Sequence, residues 1–350
     1  MLYELGLLLQ DSFGPMRLLT SHLFLGGLGV IGSFVLTFIL LPKLAMTVLP
    51  RDRGREHAVD AAKSQGKPTG AGIIFISIFL IMQLLTTPFG IQTTSILFLT
   101  LIAMLSGWFD DKAMNSWGEY KKALIDFVLA IVTGVVLCNL EATEIWLPFT
   151  KQTYTIEPYL FIPMSAILIW TSINCTNCTD GVDGLSGTLS SIALTALGGL
   201  MYFVLGHQKI SAYLLLPHYP EGAIWAMMAF SLVGTILGYL WYNAHPSMLL
   251  MGDAGSRAIG FLIGVFVIKT GNPFLILIVA GVLLINGGTG LVKVALLRFT
   301  KIAIFKNVRF PIHDHVRHAK GWSNTQVLVR FSVLQLIMTL ILIVLLVKIR

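Results

Sequence analysis

Charge is scarce in this 350-residue chain: Asp, Glu, Lys and Arg make up 12% of it, against 55% hydrophobic residues. At a mean hydropathy of +0.81, so little charge excludes a water-soluble domain that hides its apolar surface in one core. Cysteine is scarcer still, and three residues, Cys138, Cys175 and Cys178, exclude the disulfide framework of a small secreted fold. Cys175 and Cys178 form one C-x-x-C, but there is no second pair and no thioredoxin-like strand pattern. They read as two small side chains at a helix end in preference to a redox or zinc site. RNA-binding and zinc-finger patterns are missing too, and the basic residues are spread over several loops. The net charge of +7 therefore suits anionic lipid headgroups and excludes nucleic acid as a partner. Without internal repeats, low-complexity tracts or linkers, residues 1–350 read as one domain.

What the chain does have is long apolar runs. Windows of about twenty residues, matched to a hydrocarbon slab of roughly 30 Å, give ten candidate spans near 18–41, 70–88, 93–108, 123–140, 159–174, 185–206, 223–242, 256–269, 273–297 and 327–347. The expected fold is an all-α integral membrane protein. The first run lacks the basic start and cleavage site of a secretory signal and is expected to remain as a helix. Ten spans divide Lys and Arg into fifteen on one side and six on the other, with Arg257, Lys293 and Arg330 inside spans. By the positive-inside rule the basic side is cytoplasmic and both termini lie outside. Three acidic clusters and a His-rich segment all fall on the basic face, although none of them entered the count.

Asp110 and Asp111, in GWFDDK, are adjacent carboxylates that repel unless a cation compensates, and Lys112 is the nearest one. A solvated turn or helix cap would explain such a pair in a soluble protein, but ionisable groups at membrane depth are costly and tend to be functional. Asn174, Asn177, Asp180 and Asp183 step by three through NCTNCTDGVDG. With Gly181, Gly184 and Gly187 they suggest a broken or loosened helix lining a polar cavity. Asp253 lies in the turn MGDAGS, where it or Ser256 would by itself read as a cap for the eighth span. With three carboxylate sites on one face, a shared Mg²⁺ becomes the better account, since this ion takes one or two carboxylates, several waters and substrate phosphate. His313, His315 and His318 suit either a zinc site or a pyrophosphate near Arg309 and Arg317.

Five stretches in order, KPTGAG (67–72), GWFDDK (107–112), NCTNCTDGVDGL (174–185), NAHPSMLLMGDAGS (243–256) and PIHDH with KGW and VRF (311–331), resemble the polyprenyl-phosphate N-acetylhexosamine-1-phosphate transferases. Within them, the PIH entry and the KGW and VRF tail favour the branch acting on the muramoyl-pentapeptide over the one moving GlcNAc-1-phosphate. The resemblance implies a ten-helix homodimer with an active-site cleft at the cytoplasmic face. It would transfer phospho-N-acetylmuramoyl-pentapeptide from its UDP carrier (UDP-MurNAc-pentapeptide) to undecaprenyl phosphate, release UMP and require Mg²⁺. It assigns catalysis to Asp110, Asp111, Asp253 and His313, with Asp253 as the magnesium ligand. Lys67, Thr69, Lys112, Asn174, Asn177, Asp180, Asp183, Asn243 and His315 would contact substrate. Three positions depart from the family: Asp314 breaks its histidine triplet, Lys67 replaces the first threonine of its Thr-Pro-Thr, and Arg257 stands where an apolar residue is usual.

One substrate is anchored in the bilayer and the other is dissolved in water, so their phosphates meet only at the interface. A phosphomonoester has a second pKa near 6, so the attacking prenyl phosphate scarcely needs a base, and positioning and charge neutralisation should dominate. Direct attack on the sugar-bearing phosphorus is expected, with Lys112 or His313 easing the developing charge and Asp110 orienting the lipid phosphate or removing its last proton. A phospho-enzyme on Asp110 or Asp111 is the rival route. A secondary transporter would instead carry acids near the bilayer midplane between inverted repeats.

Overall fold

The computed structural model describes residues 1–54, 64–147, 150 and 152–348. Arg55, Lys63, Lys151 and Arg350 of the Lys and Arg count lie outside the described residues. After a short N-terminal helix (Leu2–Leu9), the main helices are α1 (His22–Val48), α2 (Gly72–Thr86), α3 (Ile91–Lys112), α4 (Glu119–Cys138), α5 (Pro158–Thr179), α6 (Leu185–Leu205), α7 (Gly222–Asn243), α8 (Gly252–Lys269), α9 (Gly281–Thr300), α10 (Ile312–Lys320) and α11 (Asn324–Lys348). Seven of them (α1, α3, α5, α6, α7, α9 and α11) are long and apolar enough to cross a membrane. The protein is therefore a multi-pass, all-α membrane protein. Helical segments cover all ten windows, and the β-structure among the described residues is one hairpin, β1 (Thr143–Trp146) and β2 (Thr153–Ile156), registered Thr143 to Ile156.

Helix α8 is the axis of the bundle. Every residue from Gly252 to Ile268 is buried, Asp253 and Arg257 among them, and α2, α3 and α5 pack around it. Small residues let backbones meet in such interfaces. A Cβ at Gly72 would fall 1.9 Å from the Gly255 nitrogen, and one at Gly107 would fall 2.3 Å from the Asp253 carbonyl oxygen. These two contacts bring the start of α2 and the last turns of α3 against the first turn of α8, and so position the acidic clusters.

The window 273–297 was expected to be one span. It is interrupted at Ala280, where φ is −125°, and α9 then runs through wide π-helical turns at Leu284–Gly288 and Leu296–Thr300. The Asn286-Gly287-Gly288 run is a poor helix former, and at Gly287 a Cβ would lie 2.7 Å from the Cys175 carbonyl oxygen. The wide turn keeps α9 on α5 and turns Asn286 inward.

Both terminal regions point away from the acidic clusters. The Met1 ammonium donates to Leu84 O at the far end of α2, and α11 starts with Asn324 near His245 and runs in the opposite direction. The hairpin is also at that far end, where Trp146 Nε1 donates to Thr270 O at 2.7 Å.

Candidate active site

The KPTGAG and MLLMGD stretches form one strap by backbone hydrogen bonds. Leu250 N–H donates to Pro68 O (2.8 Å), Ala71 N–H to Leu250 O and Gly72 N–H to Met251 O (both 3.0 Å). Thr69 N–H donates to Pro50 O at 2.9 Å, which ties the strap to the end of α1. Lys67 Nζ donates to Ser247 Oγ at 3.0 Å, so the lysine that replaces threonine is held at the edge of this strap.

The three aspartates converge here. Asp110 and Asp253 are both buried, and the half-buried Lys122 bridges them, forming an ion pair with Asp110 Oδ2 and another with Asp253 Oδ2 at 3.0 Å. The other oxygen of Asp110 accepts Trp117 N–H at 2.6 Å. Asp111 has a different job: Oδ1 accepts Asp253 N–H and Oδ2 accepts Ala254 N–H, each at 2.9 Å. Those amides are among the four unsatisfied donors at the start of α8, so the cap comes from another helix. The local cap that this turn by itself would suggest is not formed: no side chain of the turn caps α8, and Ser256 Oγ donates to Gly252 O at 2.9 Å. Because of this remote cap, α8 begins at Gly252, ahead of the window that starts at residue 256. Asp253 is thus in the first helical turn, where a negative charge is favoured by the helix dipole.

Lys112 is exposed at the end of α3, and the cation among the acids is Lys122, which carried no motif. Of the broken or loosened helix expected here, the structure shows the break: α5 stays regular through Asn174 and Asn177 to Thr179, and the chain breaks at Asp180–Gly184, with Gly184 at φ +76°. Asn174 Nδ2 donates to Trp170 O (2.8 Å) and Asn177 Nδ2 to Ser256 Oγ (3.0 Å). The half-buried Asp180 ends α5, its N–H donating to Asn177 O.

Asn243 is buried and used at both ends, accepting Gly184 N–H and donating to Leu249 O, both at 2.8 Å. Asp183 Oδ2 meets His245 Nδ1 at 2.7 Å and accepts Ser247 N–H at 3.2 Å. Burial pushes this carboxyl up, but the hydrogen bonds from His245 and Ser247 and the nearby Lys67 charge together hold it below the usual range. His245 lies within a matching stretch, yet nothing in the sequence marked it as the partner of Asp183.

His313 is 1% exposed. Its N–H donates to Asn286 Oδ1 at 2.9 Å, its Nδ1 lies 3.0 Å from Asn286 Nδ2, and Asn286 Nδ2 also donates to Thr179 Oγ1 at 3.0 Å. Burial, and then the Arg317 charge, push its pKa down to about 3. At neutral pH it is an uncharged imidazole whose Nε2 edge faces Gly181. Asn286 was not foreseen; an Asn-Gly-Gly inside an apolar run is the signal it left. Asp314, the departure in the histidine triplet, accepts from Arg317 at 3.3 Å. Half-buried His315 accepts Arg309 N–H at 3.4 Å. Arg257, the third departure, does not face this site: it is buried against Asp126.

Among the described residues, no three His, Cys, Asp or Glu side chains surround one metal position. The donor set still fits a hard divalent ion, because two buried carboxylates already converge on one cation, the Lys122 ammonium, and Mg²⁺ rarely takes more than two from protein.

Residues 93–271 match the family model described as glycosyl transferase family 4, a range that includes Asp110, Asp111, Asp183 and Asp253. Over 346 residues the chain is 49% identical to a phospho-N-acetylmuramoyl-pentapeptide-transferase of Treponema pallidum, covering 98% of this chain and 95% of the relative. Proteins of the same name from Opitutus terrae (32% identical, 94% of this chain and 95% of the relative) and Aquifex aeolicus (29%, 97% and 98%) are also similar along nearly their whole length.

Proposed function

Since the chain belongs to the phospho-N-acetylmuramoyl-pentapeptide-transferases, within glycosyl transferase family 4, we propose that it carries phospho-N-acetylmuramoyl-pentapeptide from UDP to undecaprenyl phosphate, making lipid I and releasing UMP. The observation that carries this reading is the Asp110–Lys122–Asp253 group at one end of the bundle. It pairs acids able to hold a divalent ion with a lysine able to meet phosphate.

Asp253 would hold Mg²⁺, which when bound neutralises the charge of the diphosphate. Lys122 turns from the carboxylates toward the phosphate oxygens, where an ammonium offsets charge developing on the leaving UMP. Asp110, fixed by Trp117 N–H, orients the incoming lipid phosphate. Asp111, with both oxygens engaged, keeps the first turn of α8 formed so that the Asp253 carboxylate stays aimed. Asn177 and Asp180 on the α5 side, with Lys67, Thr69, Asp183 and His315, are candidate contacts for the nucleotide sugar. Neutral His313 braces the 180–184 loop against α9 and offers a hydrogen bond, not a charge.

The Lys and Arg distribution supports a cytoplasmic site with both termini outside and α2, α4 and α8 as the remaining spans; the family supports a homodimer. The test is incubation of the detergent-solubilised protein with UDP-MurNAc-pentapeptide, undecaprenyl phosphate and Mg²⁺. Release of UMP with a new lipid product on thin-layer separation is expected, and no product would overturn the reading. UDP-GlcNAc in a parallel incubation should yield none.

A further inference from the structure

One helical turn inward from the Asp110–Lys122–Asp253 group lies a second set of charges. Arg257, four residues after Asp253 on α8, directs Nε and Nη2 at Oδ1 of Asp126 (3.1 and 2.5 Å), four residues after Lys122 on α4. Each is 2% exposed. Residues four apart share a helix face, so the signs alternate both ways: Lys122 above Asp126 on α4, Asp253 above Arg257 on α8, and opposite charges across each rung.

Helices α4 and α8 share little direct packing. Helix α8 packs on α3 and α5, and α4 packs chiefly on α5, so these neighbours carry both helices while the two rungs are direct side-chain links between the helix carrying Lys122 and the helix carrying Asp253. Stability alone is a poor reason for the inner rung. Desolvating two charges consumes much of what their attraction returns, and Arg257 Nη1 is buried with no hydrogen-bond partner among the described residues.

We propose that Arg257 and Asp126 are a positioning pair: they hold α4 in register with α8 so that Lys122 can leave Asp253 for a substrate phosphate and return without the two helices drifting. The outer rung exchanges partners during turnover and the inner rung does not. This inference rests on the functional reading above, in which Lys122 and Asp253 serve the diphosphate.

The test compares full-length wild type with the double variant Arg257→Leu/Asp126→Leu, measuring UMP release, KM for the nucleotide sugar and Tm. Replacing a whole buried pair with apolar residues leaves stability equal or higher, so an unchanged or raised Tm is expected. The kcat should fall about tenfold or more while KM stays within about twofold, because misplacement by an ångström can cost about a hundredfold in rate. A double variant turning over within about twofold of wild type would overturn the proposal.

If the double variant does not fold, Arg257→Lys decides: it keeps the charge but gives up the fork. A kcat loss of about threefold or more at unchanged Tm supports the pairing role, and wild-type kcat overturns it. Wild-type protein that released no UMP would instead sink the functional reading, so the two failures are distinguishable.

Discussion

Asp111 accepts the backbone N–H of Asp253 at 2.9 Å, and with its second oxygen that of Ala254. One aspartate of the adjacent pair thus builds the helix end on which another acid of the site is carried. Asp110, its neighbour, pairs with Lys122 instead.

Asp111→Ala removes both acceptors from the start of α8. Loss of a cap costs about 0.5–2 kcal/mol, and thermal melts should show a lowered Tm together with reduced turnover. Asp110→Asn keeps its acceptor for Trp117 N–H and should leave Tm nearly unchanged while turnover collapses. Equal Tm values for the two variants would contradict the division of labour.

Asp253→Asn, titrated with magnesium beside Asp110→Asn, separates the two buried acids. Asp253→Asn should shift the magnesium requirement upward by an order of magnitude or more and depress kcat, since one carboxylate of a one- or two-carboxylate set is lost. Asp110→Asn should lower kcat with little change in the magnesium midpoint. Normal turnover and magnesium dependence in Asp253→Asn would rule out its role as ligand.

His313 predicts an acid limit to stability. Folded, it resists protonation down to a pKa of about 3; unfolded, it takes a proton near 6.5. The unfolded state therefore binds more protons across that interval, so stability is fully present above about pH 6.5 and declines as pH falls toward 3. Asp183, held below its usual range, adds to the decline below about pH 4. Melting His313→Gln at pH 7 and pH 5 should show a smaller loss of Tm than wild type; parallel curves would refute the assignment.

Asn243→Ala should strand Gly184 N–H and the Leu249 carbonyl in a buried setting. Each unsatisfied group costs about 1–3 kcal/mol, so a strong fall in Tm is expected. Asn243→Asp keeps one acceptor and should be milder. Fluorescence-detected unfolding in detergent measures both.

The convergence of Asp110, Asp111 and Asp253 was legible because apolar runs of countable length put all three at the same end of the bundle. Their partners were not. Lys122 was chosen over Lys112 by the direction in which α4 leaves the turn after α3, which depends on tertiary packing that no local pattern encodes. Asp111 as a remote cap, Asn286 beneath His313 and Asp126 opposite Arg257 were hidden for the same reason: each pairing crosses between helices, the first and last of them more than a hundred residues apart. Gly72 and Gly107 stood in view as glycines, but only the facing backbone of α8 explains why a methyl group has no room there. The break at Ala280 was masked by a hydrophobic run that continues smoothly through it, whereas the wide turn after it coincides with the Asn286-Gly287-Gly288 interruption.

Since every residue of α8 from Gly252 to Ile268 is buried among its neighbours, the depth of Asp253 is set by protein packing. Helices with outward faces tilt to suit the thickness of their bilayer. An axis sealed inside them has no such contact to obey. Catalytic rate in vesicles of short-chain and long-chain lipids should therefore vary less than the tilt of α1 or α11 does.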